Sequence, residues 1–577
     1  MKKWYEYLWL LVCICSLCLM GCSGNDDEGE EPTEVTEIKT SADSGGLTFA
    51  KGSSSQDLHI QADGTVEVTS NQTWCKVTET TSASAKVKKY TVTVETNTET
   101  SDRTALITVK VGKLTKTVDV FQTAADGLLV STSSFEVKAE GENITVKYTT
   151  NGEPEVTIDV DWIKQVVNGR AAMQDKTLQF EVKANYSEGR TGKITFTLNN
   201  LSESVVVNQA KMNFESMGMG NDALALAAQM YTGINIGNTL EAVDTNNKVA
   251  SETVWGNPKV NDIYIKGVKA AGFNAVRIPC AWDYHIIDAA THKLDEAWLS
   301  RVDEVVGYCV ANDLFAIVNI HWDGGWLENN CTPDKKEANV KKQAALWTQI
   351  AGKLNHYDER VLFAGCNEPN VENATQMEVL KAYEQAFVDA VRATGGNNAV
   401  RNLIVQGPST NIDRTAEMFS LPNDAVENRL LVEVHFYDPW NFCGMSQDET
   451  WGKMHYFWGD HLVPGSDRNS NWGDEAHIKS QFQKMKSKFV DKGIPVILGE
   501  YGMVIRTGLG EHQEAHDKSR QQWVEVVTRE AKNHGIVPFL WDIGVNGCIN
   551  RTTGKQQDAY MLNGIMKGAA EGKYPFD

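Results

Sequence analysis

The sequence predicts two small all-β sandwiches followed by an α/β (β/α)8 barrel. Three observations lead there. From about Ile38 to Thr123, polar and apolar residues alternate, as in Tyr90-Thr91-Val92-Thr93-Val94, which is the period of strands with one buried face. The pattern then repeats at an offset of 87 or 88 residues, with Trp74 matched by Trp162 and Arg103 by Arg190. From about Met212 onward, short apolar runs alternate with amphipathic stretches, the texture of βα units.

At 577 residues the chain is too long for one compact domain. It opens on a targeting segment, residues 1–21. Lys2 and Lys3 precede an apolar stretch from Leu8 to Met20, too short to span a bilayer comfortably. Leu19-Met20-Gly21-Cys22 resembles a bacterial lipobox, which implies cleavage before Cys22 and lipidation of its thiol. Residues 22–37 read as an acidic tether. Its run Asn25-Asp26-Asp27-Glu28-Gly29-Glu30-Glu31 resembles the export signal of Bacteroides-type surface lipoproteins. The expectation is an outer-membrane-anchored protein on the cell surface, touching the membrane only through that lipid.

Residues 38–125 and 126–211 form the tandem pair, parted near Ala125-Asp126-Gly127. Val120-Phe121-Gln122-Thr123-Ala124 corresponds to Val206-Val207-Asn208-Gln209-Ala210 as the closing strand. Both repeats resemble the BACON module found ahead of glycan-degrading domains in Bacteroidetes. The module's name implies sugar binding; the other reading is a rigid spacer. Trp74 and Trp162 sit in apolar contexts, which favours core positions and the spacer.

Of 11 cysteines, Cys13, Cys15, Cys18 and Cys22 belong to the signal. The other seven are scattered without a CxxC pair, so they read as small buried fillers and not as a disulfide framework or zinc site. The net charge of −21 argues against nucleic acid or anionic membrane as a partner.

The barrel, residues 212–577, has eight candidate strands: 231–237, 274–279, 314–321, 361–367, 402–407, 430–437, 495–500 and 537–541. Helices are expected over 258–271, 297–312, 337–354, 376–393, 477–492, 517–533 and 558–568, with Gly272, Gly352, Gly395 and Gly493 closing several of them. Active sites in such barrels gather at the C-terminal strand ends. There the apolar run Leu362-Phe363-Ala364-Gly365-Cys366 ends in Asn367-Glu368-Pro369, and Pro495 to Gly499 ends in Glu500. Two carboxyls, each ending an apolar strand, are what glycoside hydrolysis requires. Strands four and seven lie three steps apart in a ring of eight, so their ends face each other across the mouth. Arg277, His321, His435, Tyr437 and Trp541 end the second, third, sixth and eighth strands.

Arg277, His321, Asn367-Glu368, His435-x-Tyr437, Glu500 and Trp541, in that order, resemble the pattern of glycoside hydrolase family five, the cellulase family of the retaining barrel clan. The resemblance spans about Met212 to the C-terminus. It departs at Trp322, where many relatives carry a second His, and this leaves subsite detail open. The resemblance implies that Glu368 is the general acid and then the base, its pKa raised by the facing Glu500. It implies that Glu500 is the nucleophile, kept ionised by Arg277 and positioned by the Tyr437 hydroxyl. Asn367 would bond the sugar 2-hydroxyl, His321 and His435 would fix hydroxyls and the carboxyl network, and Trp541 would form the platform under the reacting ring.

Trp322, Trp326 and Trp440 are the candidate cleft aromatics, while Trp255 and Trp282 fit either cleft or core. Asn238 fits a sugar contact or a loop cap. Leu327 to Lys335 and Trp451 to Trp472 are expected to wall the cleft. No cofactor is expected, and no metal, since the pair His321 and Asp323 lacks a third ligand at usable spacing. The reading is a retaining endo-β-1,4-glucanase for cellulose-like, mixed-linkage or xyloglucan chains, acting as a tethered monomer. A β-mannanase and a non-catalytic surface glycan-binding lipoprotein are the alternatives.

Overall fold

The computed structural model describes residues 37–84, 86–166, 176–185, 189–211 and 213–576. The signal segment, Cys22 and all but Glu37 of the tether lie outside them, as does Met212. The described residues separate into two compact units, one dominated by the sandwiches and one by the barrel.

The first sandwich has two four-stranded sheets. One is ordered Lys39–Thr40, Ser54–Gln61, Val87–Val94, Cys75–Ser84; the other Leu47–Phe49, Leu114–Gln122, Arg103–Val111, Val66–Ser70. Alternate residues point inward, and Leu58, Ile60, Val92, Ile107 and Val120 share one core. The second sandwich repeats the plan, with Arg190–Leu198 and Leu201–Gln209 in the places of Arg103–Val111 and Leu114–Gln122.

The structure corrects the alignment of the closing strands by one residue. Arg103 Nε donates to Gln122 Oε1, and Arg190 Nε to Gln209 Oε1, each at 2.9 Å. Gln122 therefore matches Gln209 and not Asn208, because a one-residue slip would turn a buried glutamine to the opposite face. Trp162 is buried. Trp74 is half-buried, with the Arg103 guanidinium 4.2 Å over its ring, so that face is covered. All seven cysteines beyond Cys22 are buried and unpaired.

The barrel closes in chain order from β1 (Gly233–Asn235) through β2 (Ala275–Ile278), β3 (Phe315–Asn319), β4 (Val361–Ala364), β5 (Leu403–Gln406), β6 (Leu430–Phe436) and β7 (Val496–Tyr501) to β8 (Ile536–Leu540), which pairs with β1. Both faces of these strands are buried, as in parallel sheets sheathed by helices. The helices are α1 (Asp262–Ala270), α2 (Glu296–Ala311), α3 (Lys336–Leu354), α4 (Ala374–Ala393), α5 (Ile412–Met418), α6 (Glu475–Lys488), α7 (Gln513–Asn533) and α8 (Ala559–Glu571). Asn261, Asp295, Asn373, Asn411, Asp474 and Asp558 cap six of them by accepting a backbone N–H; each such cap contributes about 1 kcal/mol.

Two local expectations need correction. Helix α5 escapes a sequence reading, since seven residues carry only two turns of period. Gly352 does not end a helix but lies inside α3, where an added Cβ would meet nothing. Gly272, Gly395 and Gly493 do adopt positive φ just after their helical segments.

The barrel's two ends differ. A short helix, Ala223–Gln229, sets Ala223, Leu226 and Ala227 against Ile317, Leu362, Leu431, Ile497 and Phe539 and fills the N-terminal mouth with apolar atoms. At the other end β7 carries a bulge: Val434 faces Leu498 but His435 faces Glu500, which leaves Gly499 as the extra residue. A Cβ on Gly499 would overlap the Glu433 carboxylate. Glycine at this position is what lets Glu433 sit under the bulge.

Candidate active site

Arg277, fully buried at the end of β2, is the centre of the mouth. Its Nη1 donates to Glu500 Oε1 and to Asn235 Oδ1, both at 3.0 Å, and its Nη2 to Asn367 Oδ1 at 2.8 Å. Its Nε lies 2.9 Å from Glu433 Oε1. Burial works against this charge, but Glu433 and Glu500 more than offset it and raise the pKa.

Glu433 is buried within the apolar β6 and holds a second cation. His435 Nε2 donates to Glu433 Oε1 at 3.2 Å, and His435 Nδ1 donates to Glu368 Oε1 at 2.7 Å. Burial opposes protonation of His435, but Glu500, Glu368 and Glu433 push its pKa up to about 10. Gln406 Nε2 occupies the other Glu433 oxygen at 2.6 Å. Tyr437 donates its hydroxyl to Glu500 Oε2 at 2.9 Å. Burial and the Glu500 charge raise the phenol's pKa well above its usual value, so it remains a donor.

Glu368, His435 and Glu500 each turn an atom to within 4.8 Å of the others. An oxygen of each carboxyl thus lies within 4.8 Å of the other, on the side of the short spacing of retaining enzymes (about 5–5.5 Å) and not the roughly 6.5–9.5 Å of inversion. The trio suits a metal poorly. A doubly protonated His435 has no lone pair to give, and Arg277 already supplies positive charge to Glu500. Asp323 is likewise committed, accepting from the Trp282 and Asp283 N–H groups and from Trp326 Nε1.

One electrostatic expectation is reversed. Burial pushes Glu368 upward, but the His435 hydrogen bond and charge win and hold its pKa below the ordinary value. Burial raises Glu500 in spite of His435 and Arg277. The sequence places His435 in the carboxyl network but not the charge it carries against Glu368.

The remaining predicted residues divide. His321 stacks on Trp541, with centroids 5.5 Å apart and planes 6° from parallel; burial, Arg277 and His435 lower its pKa far below the usual value, so it is neutral. Trp440 is 48 % exposed and meets Tyr437 edge-on. Trp322 is half-buried beside His321. Trp326 does not behave as a free platform: its N–H donates to Asp323, Lys342 Nζ sits 4.2 Å over its ring, and it packs on the barrel core. Asn238 takes positive φ, its N–H donates to Glu241 and its carbonyl accepts from Asn257, which are loop-capping roles. Trp282 is buried, and Trp255 is partly exposed.

Two hollows meet at Tyr437. One, of about 390 Å³, is lined by Trp541, Met503, Ile543 and Val545; the other, of about 210 Å³, by Glu368, His435 and Trp440. Trp458 and Trp472, from the segment expected to wall the cleft, line a separate hollow.

Sequence reasoning missed Glu433, Asn235 and Glu328. Glu328 is buried, accepts the Glu368 N–H at 2.6 Å, and is raised by burial to about 7. Glu433 left a readable signal, a lone acid inside Leu430-Leu431-Val432-Glu433-Val434. Glu328, in an irregular loop, left none.

Comparison with known proteins agrees with this geometry. The family model described as cellulase, glycosyl hydrolase family 5, matches residues 238–547, and BACON, a putative N-terminal binding domain, matches 64–123 and 145–210. A xyloglucan-specific endo-β-1,4-glucanase, BoGH5A of Bacteroides ovatus, is 34% identical over 458 residues, covering 75% of this chain and 90% of its own. A solved B. ovatus GH5 xyloglucanase in complex with a XXXG heptasaccharide aligns at TM-score 0.58 and 33% identity, over 77% of this chain and 100% of that one. XEG5B, a xyloglucan-specific β-1,4-glucanase from a ruminal metagenomic library, aligns at TM-score 0.57 and 39% identity, over 62% and 98%. This chain carries two BACON modules and belongs to glycosyl hydrolase family 5, the cellulase family, as a retaining endo-β-1,4-glucanase.

Proposed function

We propose that the enzyme cuts the glucan backbone of xyloglucan, with Glu500 as nucleophile and Glu368 as acid and then base. The observation that carries the assignment is the facing pair: Glu500 is gripped on one oxygen by Arg277 and on the other by Tyr437, within 4.8 Å of a Glu368 that contacts His435. In the first step a Glu500 oxygen bonds to the anomeric carbon as the glycosidic C–O bond breaks. The leaving oxygen takes a proton from Glu368. In the second, Glu368 removes a proton from water, the water oxygen bonds to the same carbon, and Glu500 leaves. Two inversions give net retention.

His435 supplies the proton that Glu368 needs. Before the reaction that proton lies on Nδ1, 2.7 Å from Glu368 Oε1, and it returns there once Glu368 has taken the proton of the water. A sugar filling the mouth displaces water from the half-exposed Glu368 and favours its neutral form. Asn367, already oriented by Arg277, faces the 2-hydroxyl, and Trp541 with His321 supports the ring. Preference for xyloglucan over unbranched glucan rests on the named substrates of the relatives and on the roomy apolar hollow beside Trp541.

Cys22 carries the lipid that anchors the chain to the outer cell surface, the two sandwiches space the barrel from the membrane, and the enzyme acts as a monomer. Reducing-sugar release from xyloglucan, barley glucan and mannan, with Glu500→Gln as control, tests the activity. An anomeric NMR signal that first appears in the inverted configuration would refute the mechanism. Faster cleavage of mannan would transfer the enzyme to the β-mannanases, and binding without cleavage of any of them would make it a surface glycan-binding protein.

A further inference from the structure

Outside the cleft, a further concave surface among the described residues combines indoles with polar side chains. It lies in the long segment that leaves β6, makes the helical turn Trp440–Cys443 and rejoins the barrel at α6. Trp458, His461, Asn471, Trp472 and Glu475 enclose about 340 Å³, within the roughly 300–1,000 Å³ of small-molecule sites. Trp472 is 41 % exposed and Trp458 half-buried. Both indole N–H groups are used internally: Trp458 Nε1 donates to Gly473 O at 2.8 Å, and Trp472 Nε1 to Asn441 Oδ1 at 3.1 Å. The rings are thereby locked by their edges, so the open hollow is offered apolar ring surface and a polar rim.

The chemistry of that rim selects the occupant. Asp474 and Glu475 lie beside the indoles; Asp474 caps α6, and Glu475 already pairs with Lys479 at 2.7 Å and Arg529 at 3.0 Å, so the cations at this rim are committed to a carboxylate and a neutral ligand is favoured over a phosphate, sulfate or uronate. A neutral pyranose suits it, with C–H faces for the rings and hydroxyls for Asn471, His461 and the acids. The hollow is separate from the cleft but is tied to it through one residue. Asn441, which holds Trp472, directly follows Trp440, and Trp440 shares a hollow with Glu368. Asn441 Nδ2 further ties down Lys453 O at 2.8 Å, so the segment is braced where it meets the cleft.

We propose that the hollow between Trp458 and Trp472 is a second saccharide-binding site, which holds the same neutral glucan chain outside the catalytic cleft. The proposal rests on the glucanase reading for the identity of the chain. Trp472 is the residue that carries it. The site would keep a long polymer on the enzyme between cuts and leave short oligosaccharides indifferent.

The test uses the full chain carrying Glu500→Gln, which removes cleavage. Affinity for polymeric xyloglucan is measured by gel retardation, and for a short xyloglucan oligosaccharide by calorimetry, with and without Trp472→Ala. Polymer affinity should fall about fivefold or more, as expected for the loss of roughly 1 kcal/mol of ring contact, while oligosaccharide affinity changes far less. The exposed double variant His461→Ala/Asn471→Ala should show the same selectivity in smaller measure, without touching the packing of either indole. Equal losses on both ligands, or no loss on the polymer, would overturn the site. Neither result depends on turnover. Failure of the hydrolase reading would show separately, as wild-type protein that releases no sugar from any glucan.

Discussion

The two ends of the barrel are built from the same eight strands by opposite rules. At the N-terminal end, Leu226, Ile317, Leu431 and Phe539 close the mouth with apolar contacts. At the C-terminal end, Arg277, Glu433, His435 and Glu500 put two cations and carboxylates into a buried volume. The first arrangement gains from every buried methylene. The second loses solvation for each charge and recovers it only through mutual pairing. One end therefore maximises stability, and the other holds a charge pattern that only a reacting sugar completes.

The largest test of this contrast is at Glu500. Glu500→Gln removes the attacking oxygen and one of the acids crowded around His435. Activity on xyloglucan should fall by about 10⁴-fold or more, equivalent to some 5 kcal/mol of barrier. Thermal stability should hold or rise, because burial already disfavours this charge. A large drop in melting temperature alongside the lost activity would mean that this end also was built for stability.

Glu433→Gln cuts deeper into the scaffold and less into the reaction. It strips the partner shared by Arg277 and His435 without touching substrate. We expect a loss of about 10²- to 10³-fold in kcat, with the alkaline limb of the pH–rate profile moved to lower pH as His435 gives up its proton more readily. A purely structural role would lower activity without moving that limb. The opposite end answers in stability alone: Leu226→Ala should cost about 3 kcal/mol and leave kcat/KM within roughly twofold, read by denaturant unfolding and a standard assay.

His435 also gives the charged end a pH signature. Its folded pKa is pushed up to about 10, from an unfolded value of about 6.5. The folded state thus binds the proton more tightly. The stability this contributes is whole below about pH 6.5 and disappears as pH rises towards 10. The melting temperature should therefore fall over that range, and fall less steeply in His435→Gln. Equal slopes in both proteins would remove His435 from the account.

The contrast between the ends also explains what could be read from the sequence. The strands were legible because a run such as Val361 to Ala364 is apolar on both faces and stops at a polar residue, and backbone periodicity needs no partner to interpret. Glu368 and Glu500 were legible because they end such runs. Glu433 was visible only as an anomaly, a lone acid in mid-strand, and its role has meaning only once Gly499 is seen to make room for it and Arg277 to meet it. The lowered Glu368 was out of reach for the same reason: it depends on a 2.7 Å contact between residues 67 positions apart, and the raised Glu500 depends on burial that only the closed fold supplies. Glu328 entered from a loop whose local sequence has no period to interpret.

The smallest effects separate two tryptophans that sequence alone could not tell apart. An indole suits a core, a rim or a sugar face equally well, and only its neighbours decide. Trp326 has its N–H on Asp323 and Lys342 over its ring, so it belongs with the packed part of the molecule. Trp440 stands 48 % exposed beside the Glu368 hollow, so it belongs with the open part. Trp440→Ala should raise KM for the polymer by about threefold to tenfold, near 1 kcal/mol of stacking, and leave kcat and melting temperature almost unchanged. Trp326→Ala should do the reverse, lowering the melting temperature by several degrees with a smaller change in KM. If both variants raised KM alike at unchanged stability, the Asp323 and Lys342 contacts would not be holding Trp326 away from substrate, and the boundary between the packed and the open parts of this mouth would have to be moved outward to include it.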